Sequence, residues 1–245
     1  MTTIIKQRLF AVVTITSLAI TAALALWVAP PDAQQGDAQR LMYLHVPTIW
    51  LAYLAFGITA FASVLWLVPR TRNDTWDLLA GASAEVGVVF TGITLVIGSL
   101  WGRPVWGTWW EWDARLTTTA ILFFLYLGYL ALRRTGATVD ERGTRCAIAA
   151  LIAFADVPVN YLSVTWWQTL HQQGTVFNDK MNVEITGTMA FTLVFAVGAF
   201  TLLYAYLVTR RLQLAQLEEG LEERELQLAI ADRVRAERAE QVVSA

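Results

Sequence analysis

The sequence predicts an all-α, polytopic membrane protein with six transmembrane helices, an external tryptophan-rich interfacial segment and a cytoplasmic C-terminal helix. Three observations predict this class. Hydrophobic residues make up 56% of the 245 residues, above the roughly 45–50% usual for soluble domains. They fall in long uncharged runs, and a bilayer core of about 30 Å is crossed by roughly 20 apolar residues in a helix. Lysine and arginine alternate between the loops that join these runs, as they do when successive loops lie on opposite sides of a membrane.

The predicted spans are Leu9–Ala29, Ile49–Val68, Leu78–Leu100, Leu116–Leu132, Cys146–Val164 and Ile185–Val208. Lys6 and Arg8 before the first run give it the look of a signal peptide. Its apolar run exceeds the ~7–15 residues of such a segment and no small-x-small cleavage site follows, so it reads as a retained helix. In the third span Ser83, Gly87 and Thr91 recur every four residues and suit close helix packing. At the start of the fourth, the hydroxyls of Thr117, Thr118 and Thr119 can bond back to helix carbonyls, which makes them compatible with burial.

The basic loops carry Lys6, Arg8, Arg70, Arg72, Arg133, Arg134, Arg142, Arg145, Arg210 and Arg211; the alternate loops carry only Arg40, Arg103, Arg115 and Lys180. The first set marks the cytoplasm. Both termini are then cytoplasmic, and three loops, residues 30–48, 101–115 and 165–184, face outward. The expected organisation is a membrane domain over 1–211 and a charged cytoplasmic helix over 212–245. In that tail Leu214, Leu217, Leu221 and Leu228 approach an a/d pattern that Arg224 and Gly220 interrupt. It reads either as a frayed cytoplasmic helix or as a docking helix for a soluble partner.

Composition removes several function classes. A net charge of −2 provides no basic field for nucleic acid. A single cysteine, Cys146, excludes an intrachain disulfide, a CxxC redox pair, a cysteine zinc site and a CxxCH haem attachment. No GxSxG, P-loop or GxGxxG run occurs, so the chain carries no energy-coupling motif of its own.

The first outer candidate for chemistry is the segment from Trp101 to Thr117, in which Trp101, Trp106, Trp109, Trp110 and Trp112 cluster. An aromatic belt at the membrane interface accounts for one or two such residues per loop. Trp106, Trp109, Trp110 and Asp113 stand at i, i+3, i+4 and i+7, one face of a helix, with Pro104 and Gly107 suiting a turn before it. An interfacial helix of this kind presents a flat apolar platform, suited to a flat apolar ligand. Arg103 and Arg115 flank it and suit ligand carboxylates such as porphyrin propionates. Asp113 is expected to position Arg115 or an indole N–H. Belt packing and a ligand platform both remain readings of the segment.

His45 and His171 are the only histidines, and each adjoins a helix end on the side of the tryptophans. They read as solvated or hydrogen-bonding residues, or as the two axial imidazoles of one haem iron. The second reading requires that spans two and five pack together. Within the spans, Glu85 and Asp156 are intramembrane carboxylates, which default to functional hypotheses. Glu85 is expected to face a partner subunit. Asp156 and Asn160 divide between function and repair of the backbone near Pro158.

Trp106-Gly-Thr-Trp109-Trp110-Glu-Trp112-Asp113-Ala-Arg115-Leu116-Thr117 resembles the WWD signature of haem-handling membrane proteins. Tyr43-Leu44-His45-Val46-Pro47 and the stretch from Ser163 to Gln172 are similar to two further blocks of its six-helix branch, the cytochrome c maturation protein C (CcmC, haem exporter protein C) family. The resemblance covers residues about 40 to 208, and the tail from Leu212 departs from the shortest members.

The resemblance implies haem b bound non-covalently at the periplasmic face of a bacterial inner membrane. His45 and His171 would be its axial iron ligands, and Trp106, Trp109, Trp110, Trp112, Asp113 and Arg115 the surrounding site. It also implies transfer to a periplasmic haem chaperone (CcmE-like) during c-type cytochrome biogenesis. CcmA-, CcmB- and CcmD-like subunits of an ABC-type complex are the implied neighbours, along with membrane lipid and without nucleic acid. The chain is then a carrier and not an enzyme. The alternatives are a cytochrome c haem lyase acting directly on apocytochrome, against which helix and histidine count argue, and a structural membrane subunit without cofactor.

Overall fold

A computed structural model describes residues 2–135, 138–171, 185 and 187–244. Lys180, Gln172 and the rest of the third outer loop over 172–184 lie outside the described residues. The elements are α1 (Thr2–Ala23), which runs into a π turn over Leu24–Val28; a 3-10 turn over Asp37–Leu41; then α2 (Met42–Leu67), α3 (Asp74–Trp106), α4 (Ala114–Arg133), α5 (Val139–Phe154), α6 (Asp156–Trp166) and α7 (Gly187–Ser244). No strand occurs among the described residues. With α5 and α6 counted as one span, six helices are long and apolar enough to cross a membrane. The chain is a polytopic, all-α membrane protein.

The spans begin and end differently from the apolar runs. α2 starts at Met42, seven positions before the expected Ile49, so His45 lies within a helix and not in a loop. The 3-10 turn gives way to α geometry at Leu41–Met42, and Pro47 is accommodated inside α2. The fifth span, by contrast, breaks at its proline. α5 stops at Phe154, four residues before Pro158, and α6 restarts at Asp156. α7 passes residues 211 and 212 without a break.

The interfacial helix expected from Trp106 to Asp113 is not formed. α3 instead continues through Pro104 to Trp106, and Gly107 ends it with a left-handed φ of +80° and its N–H bonded to the Arg103 carbonyl at 3.1 Å. Only glycine takes that conformation without a steric penalty. Residues 108–113 are non-helical, and Asp113 is the N-cap of α4, its Oδ1 accepting from the Leu116 N–H at 2.8 Å. The i, i+3, i+4, i+7 spacing is therefore divided among a helix end, a loop and a cap.

The core forms where α2 meets α3. Ser83 Oγ donates to the Ala55 carbonyl at 2.7 Å and lies 2.7 Å from the Tyr204 hydroxyl of α7. A Cβ at Gly87 would stand 2.5 Å from Phe56, so glycine is required for this approach. Phe56 in turn stacks on Tyr126 of α4, with centroids 3.7 Å apart. The expected small-residue stripe is thus a packing face. Thr118 and Thr119 bond to the Ala114 and Arg115 carbonyls, both at 2.7 Å. α1 lies outside this core against α7, with Phe10 edge-on to Tyr206 at 5.6 Å.

Charge pairs gather at one end of the bundle. Arg133 of α4 grips Asp77 of α3, Arg142 of α5 reaches Asp77 and Glu219, and Arg72 pairs with Asp140. Glu85 does not turn away from the bundle as expected: it is paired with Arg211 of α7 in the same chain, and Arg211 also meets Glu218 at 3.1 Å. The opposite end carries His45, the tryptophan segment and His171, so the side shared by these three elements is as the loop alternation requires.

Candidate ligand-binding site

A cavity of about 420 Å³ opens at that opposite end, a size in the roughly 300–1,000 Å³ range of small-molecule sites. Its walls come from α2 (His45, Ile49, Trp50, Tyr53), α3 (Thr94, Gly98, Trp101, Trp106), Trp110, the start of α4 (Arg115, Leu116, Thr119), Tyr161 of α6, His171 and one face of α7 (Leu193, Val194, Val197). The lining is mostly apolar, with imidazole, indole and guanidinium groups interspersed.

The two histidines meet at this cavity. Their ring centroids are 6.1 Å apart with 30° between the planes. An imidazole nitrogen ligates a metal at about 2.0–2.1 Å, so two rings on opposite sides of one ion stand roughly 6 Å apart between centres. Trp101 lies edge-on to His45 and Trp106 edge-on to His171, each at 5.7 Å. α2 and α3 together fix His45. Thr94 donates to Thr48, which donates to the His45 carbonyl at 2.8 Å. Gly98 leaves the room for the ring, since a Cβ there would stand 2.9 Å from its Cε1. His45 is buried, and its Nδ1 has no hydrogen-bond partner among the described residues; the same holds for Nε1 of Trp110.

Arg115 and Asn160 tie α4 to α6 beside the cavity. Arg115 Nη1 donates to the Asn160 and Tyr161 carbonyls at 2.5 and 3.0 Å. Asn160 Nδ2 donates to Thr118 and Thr119 at 2.7 and 2.8 Å and to the Arg115 carbonyl at 3.2 Å, while its Oδ1 accepts from the Tyr53 hydroxyl of α2. Asn160 therefore serves helix packing. It is this hydroxyl-and-amide knot, with the packing of α5 on α2, that brings span two to span five.

With that geometry in place, the family model described as Heme exporter protein C (CcmC) matches residues 2–227. The chain belongs to this family. It is 41% identical over 180 residues to the Heme exporter protein C of Bradyrhizobium diazoefficiens, covering 74% of this chain and 67% of that one. Over 191 residues it is 40% identical to the Escherichia coli K12 protein of the same name, covering 76% and 73%. A putative ccmC-like mitochondrial protein of Marchantia polymorpha is 39% identical over 193 residues, covering 78% and 81%.

Of the site residues expected in this CcmC-family chain, His45, His171, Trp106, Trp110 and Arg115 come together around the cavity. Trp109 and Trp112 do not line it and are 55% and 75% exposed. Asp113 also stays off the cavity wall. It takes no arginine or indole, as had been expected, but the backbone N–H groups of Leu116 and Leu170. Arg103 turns back to the Gly107 carbonyl. Trp50, Tyr53, Thr94 and Gly98 line the cavity without having been singled out. The signal for them was helical spacing: His45, Ile49 and Tyr53 share a face of α2, and the small stripe of α3 continues through Thr94 to Gly98.

Proposed function

We propose that this chain holds haem in the cavity, at the periplasmic face of a bacterial inner membrane, and hands it to a periplasmic haem chaperone of the CcmE type during c-type cytochrome biogenesis. The observation that carries the reading is that the only two histidines of the chain, distant in sequence, meet with centroids 6.1 Å apart. Haem b supplies four equatorial nitrogens around its iron and leaves two axial positions open. Among the described residues no three His, Cys, Asp or Glu side chains group to hold a bare metal ion, so a pair of imidazoles suits a cargo that brings its own equatorial ligands.

In this reading His45 and His171 grip the iron from opposite sides. His45 is buried and its Nδ1 is not engaged by any hydrogen bond among the described residues, so no protein partner competes for that nitrogen. Trp101, Trp106 and Trp110 exclude water and give apolar walls, each aromatic contact adding about 0.5–1.5 kcal/mol beyond area burial. Arg115 engages only Nη1 among the described residues, which leaves further guanidinium donors for a propionate. The work is binding and release, with no covalent bond of the cargo made or broken by the chain, in keeping with relatives named as exporters. CcmA-, CcmB- and CcmD-like subunits of an ABC-type complex would supply the energy coupling. Both termini would be cytoplasmic, with residues 1–211 as the membrane domain and 212–245 as a cytoplasmic helix.

The test is a visible spectrum of the protein purified in detergent from haem-replete membranes. Wild type should show a low-spin bis-imidazole spectrum, and His45→Ala and His171→Ala should each lose it while inserting normally. Colourless wild type, or unchanged spectra in both variants, would overturn the axial assignment.

A further inference from the structure

We infer that Asp113 is a positioning residue that holds His171 in place, and that it does not touch the ligand. The inference rests on His171 being an axial ligand. The carboxylate of Asp113 bridges two parts of the chain. Oδ1 accepts from the Leu116 N–H at 2.8 Å and caps α4; Oδ2 accepts from the Leu170 N–H at 2.9 Å, one residue before His171. Asp113 lies between Trp110 and Arg115, both on the cavity wall, yet is itself absent from that wall.

Residues 167–171 are non-helical, and Trp167 and Leu170 are both about half exposed, at 51% and 45%. A charge-assisted bond to a backbone amide is stronger than a neutral one, and it locates Leu170 against the rigid first turn of α4. Thr169 Oγ1 donates to the His171 carbonyl at 3.0 Å, so the turn that begins at the clasp closes on His171. The aspartate thereby couples the tryptophan loop to the second imidazole through the backbone.

Only a carboxylate can accept at both ends. Asparagine has one acceptor oxygen and would set an NH2 against one of the two donors. Serine can still cap α4 but is too short to reach Leu170 as well. Asp113→Asn and Asp113→Ser therefore test the clasp in a chain whose α4 is still capped.

Two readouts follow, on the full chain in detergent. Amide hydrogen exchange at Leu170 should speed up by roughly tenfold or more in both variants, as loss of a bond to a charged group implies. The low-spin spectrum should become that of His171→Ala, and millimolar imidazole should restore it, which a global folding defect would not allow. Unchanged exchange at Leu170, or faster exchange with an intact wild-type spectrum, would overturn the inference. If His171→Ala itself kept the wild-type spectrum, the axial assignment would fail, whereas the exchange rates would still judge the clasp.

Discussion

Arg133 lays its two η nitrogens against the two carboxylate oxygens of Asp77, at 2.7 and 2.8 Å, so that the end of α4 is locked onto the start of α3. Asp77 is 4% exposed and Arg133 14%, and Arg142 adds a longer contact to the same carboxylate. Removing the acid strands two arginines near the helix ends, where water reaches them in part. Asp77→Ala should therefore cost about 3 kcal/mol, the low end for breaking a buried pair. Arg235→Ala, at an exposed pair with Asp232, should stay within about 0.5 kcal/mol. Reversible unfolding in SDS–detergent mixtures measures both, and equal losses would show that the Asp77 network carries no special weight.

Asn160 is fully buried and joins three helices. Asn160→Ala leaves the Tyr53 hydroxyl and two threonines to find new partners, and should cost about 1–3 kcal/mol. Tyr53→Phe removes a single interhelical bond and should cost nearer 0.6 kcal/mol, the average for such bonds in membranes. The order of the two in the same unfolding assay is the check. A Tyr53→Phe loss equal to that of Asn160→Ala would mean that the hydroxyl, and not the amide, holds α6.

The spans were legible because lipid requires long apolar helices, and the shared side of His45, the tryptophans and His171 was legible from alternation alone. Helix ends were less so. A hydropathy run omits polar residues that a helix can still carry, as Tyr43, His45 and Thr48 do at the start of α2. In the tryptophan segment two local signals override the helical spacing. These were Gly107, a left-handed helix stop, and Asp113 directly before α4, an N-cap. That Glu85 meets Arg211, or that Trp109 turns outward while Trp110 turns inward, depends on three-dimensional packing that no spacing along the chain encodes.

Gly98 makes the His45 pocket testable with both histidines left in place. A methyl group there would sit 2.9 Å from His45 Cε1, closer than carbon atoms pack, so the ring must move. Gly98→Ala should shift the spectrum of bound haem and weaken its retention by roughly tenfold, since a displacement worth about 1.4 kcal/mol corresponds to that factor. Gly57→Ala, with nothing within 4 Å of its added methyl, should leave the spectrum unchanged and stabilise α2 by about 0.5–1 kcal/mol. Identical spectra for the two variants would mean that His45 is not confined by α3.

Trp106, Trp109, Trp110 and Trp112 divide into two pairs with opposite expected outcomes. Trp106 and Trp110 line the cavity, and Trp106 lies edge-on to His171. Trp109 and Trp112 are exposed and off its wall, although Trp112 packs edge-on against Trp110 at 5.3 Å. Replacing Trp106 and Trp110 together with alanine removes two aromatic walls worth about 0.5–1.5 kcal/mol each beyond area. Haem retained through purification should then fall by tenfold or more. Replacing Trp109 and Trp112 together should leave retention and spectrum near wild type, because the indoles removed do not face the cavity. Haem content per protein after detergent exchange measures both double variants. If the outer pair lost haem as severely as the inner pair, the ligand would have to lie on the outer aromatic surface and not in the cavity between the histidines.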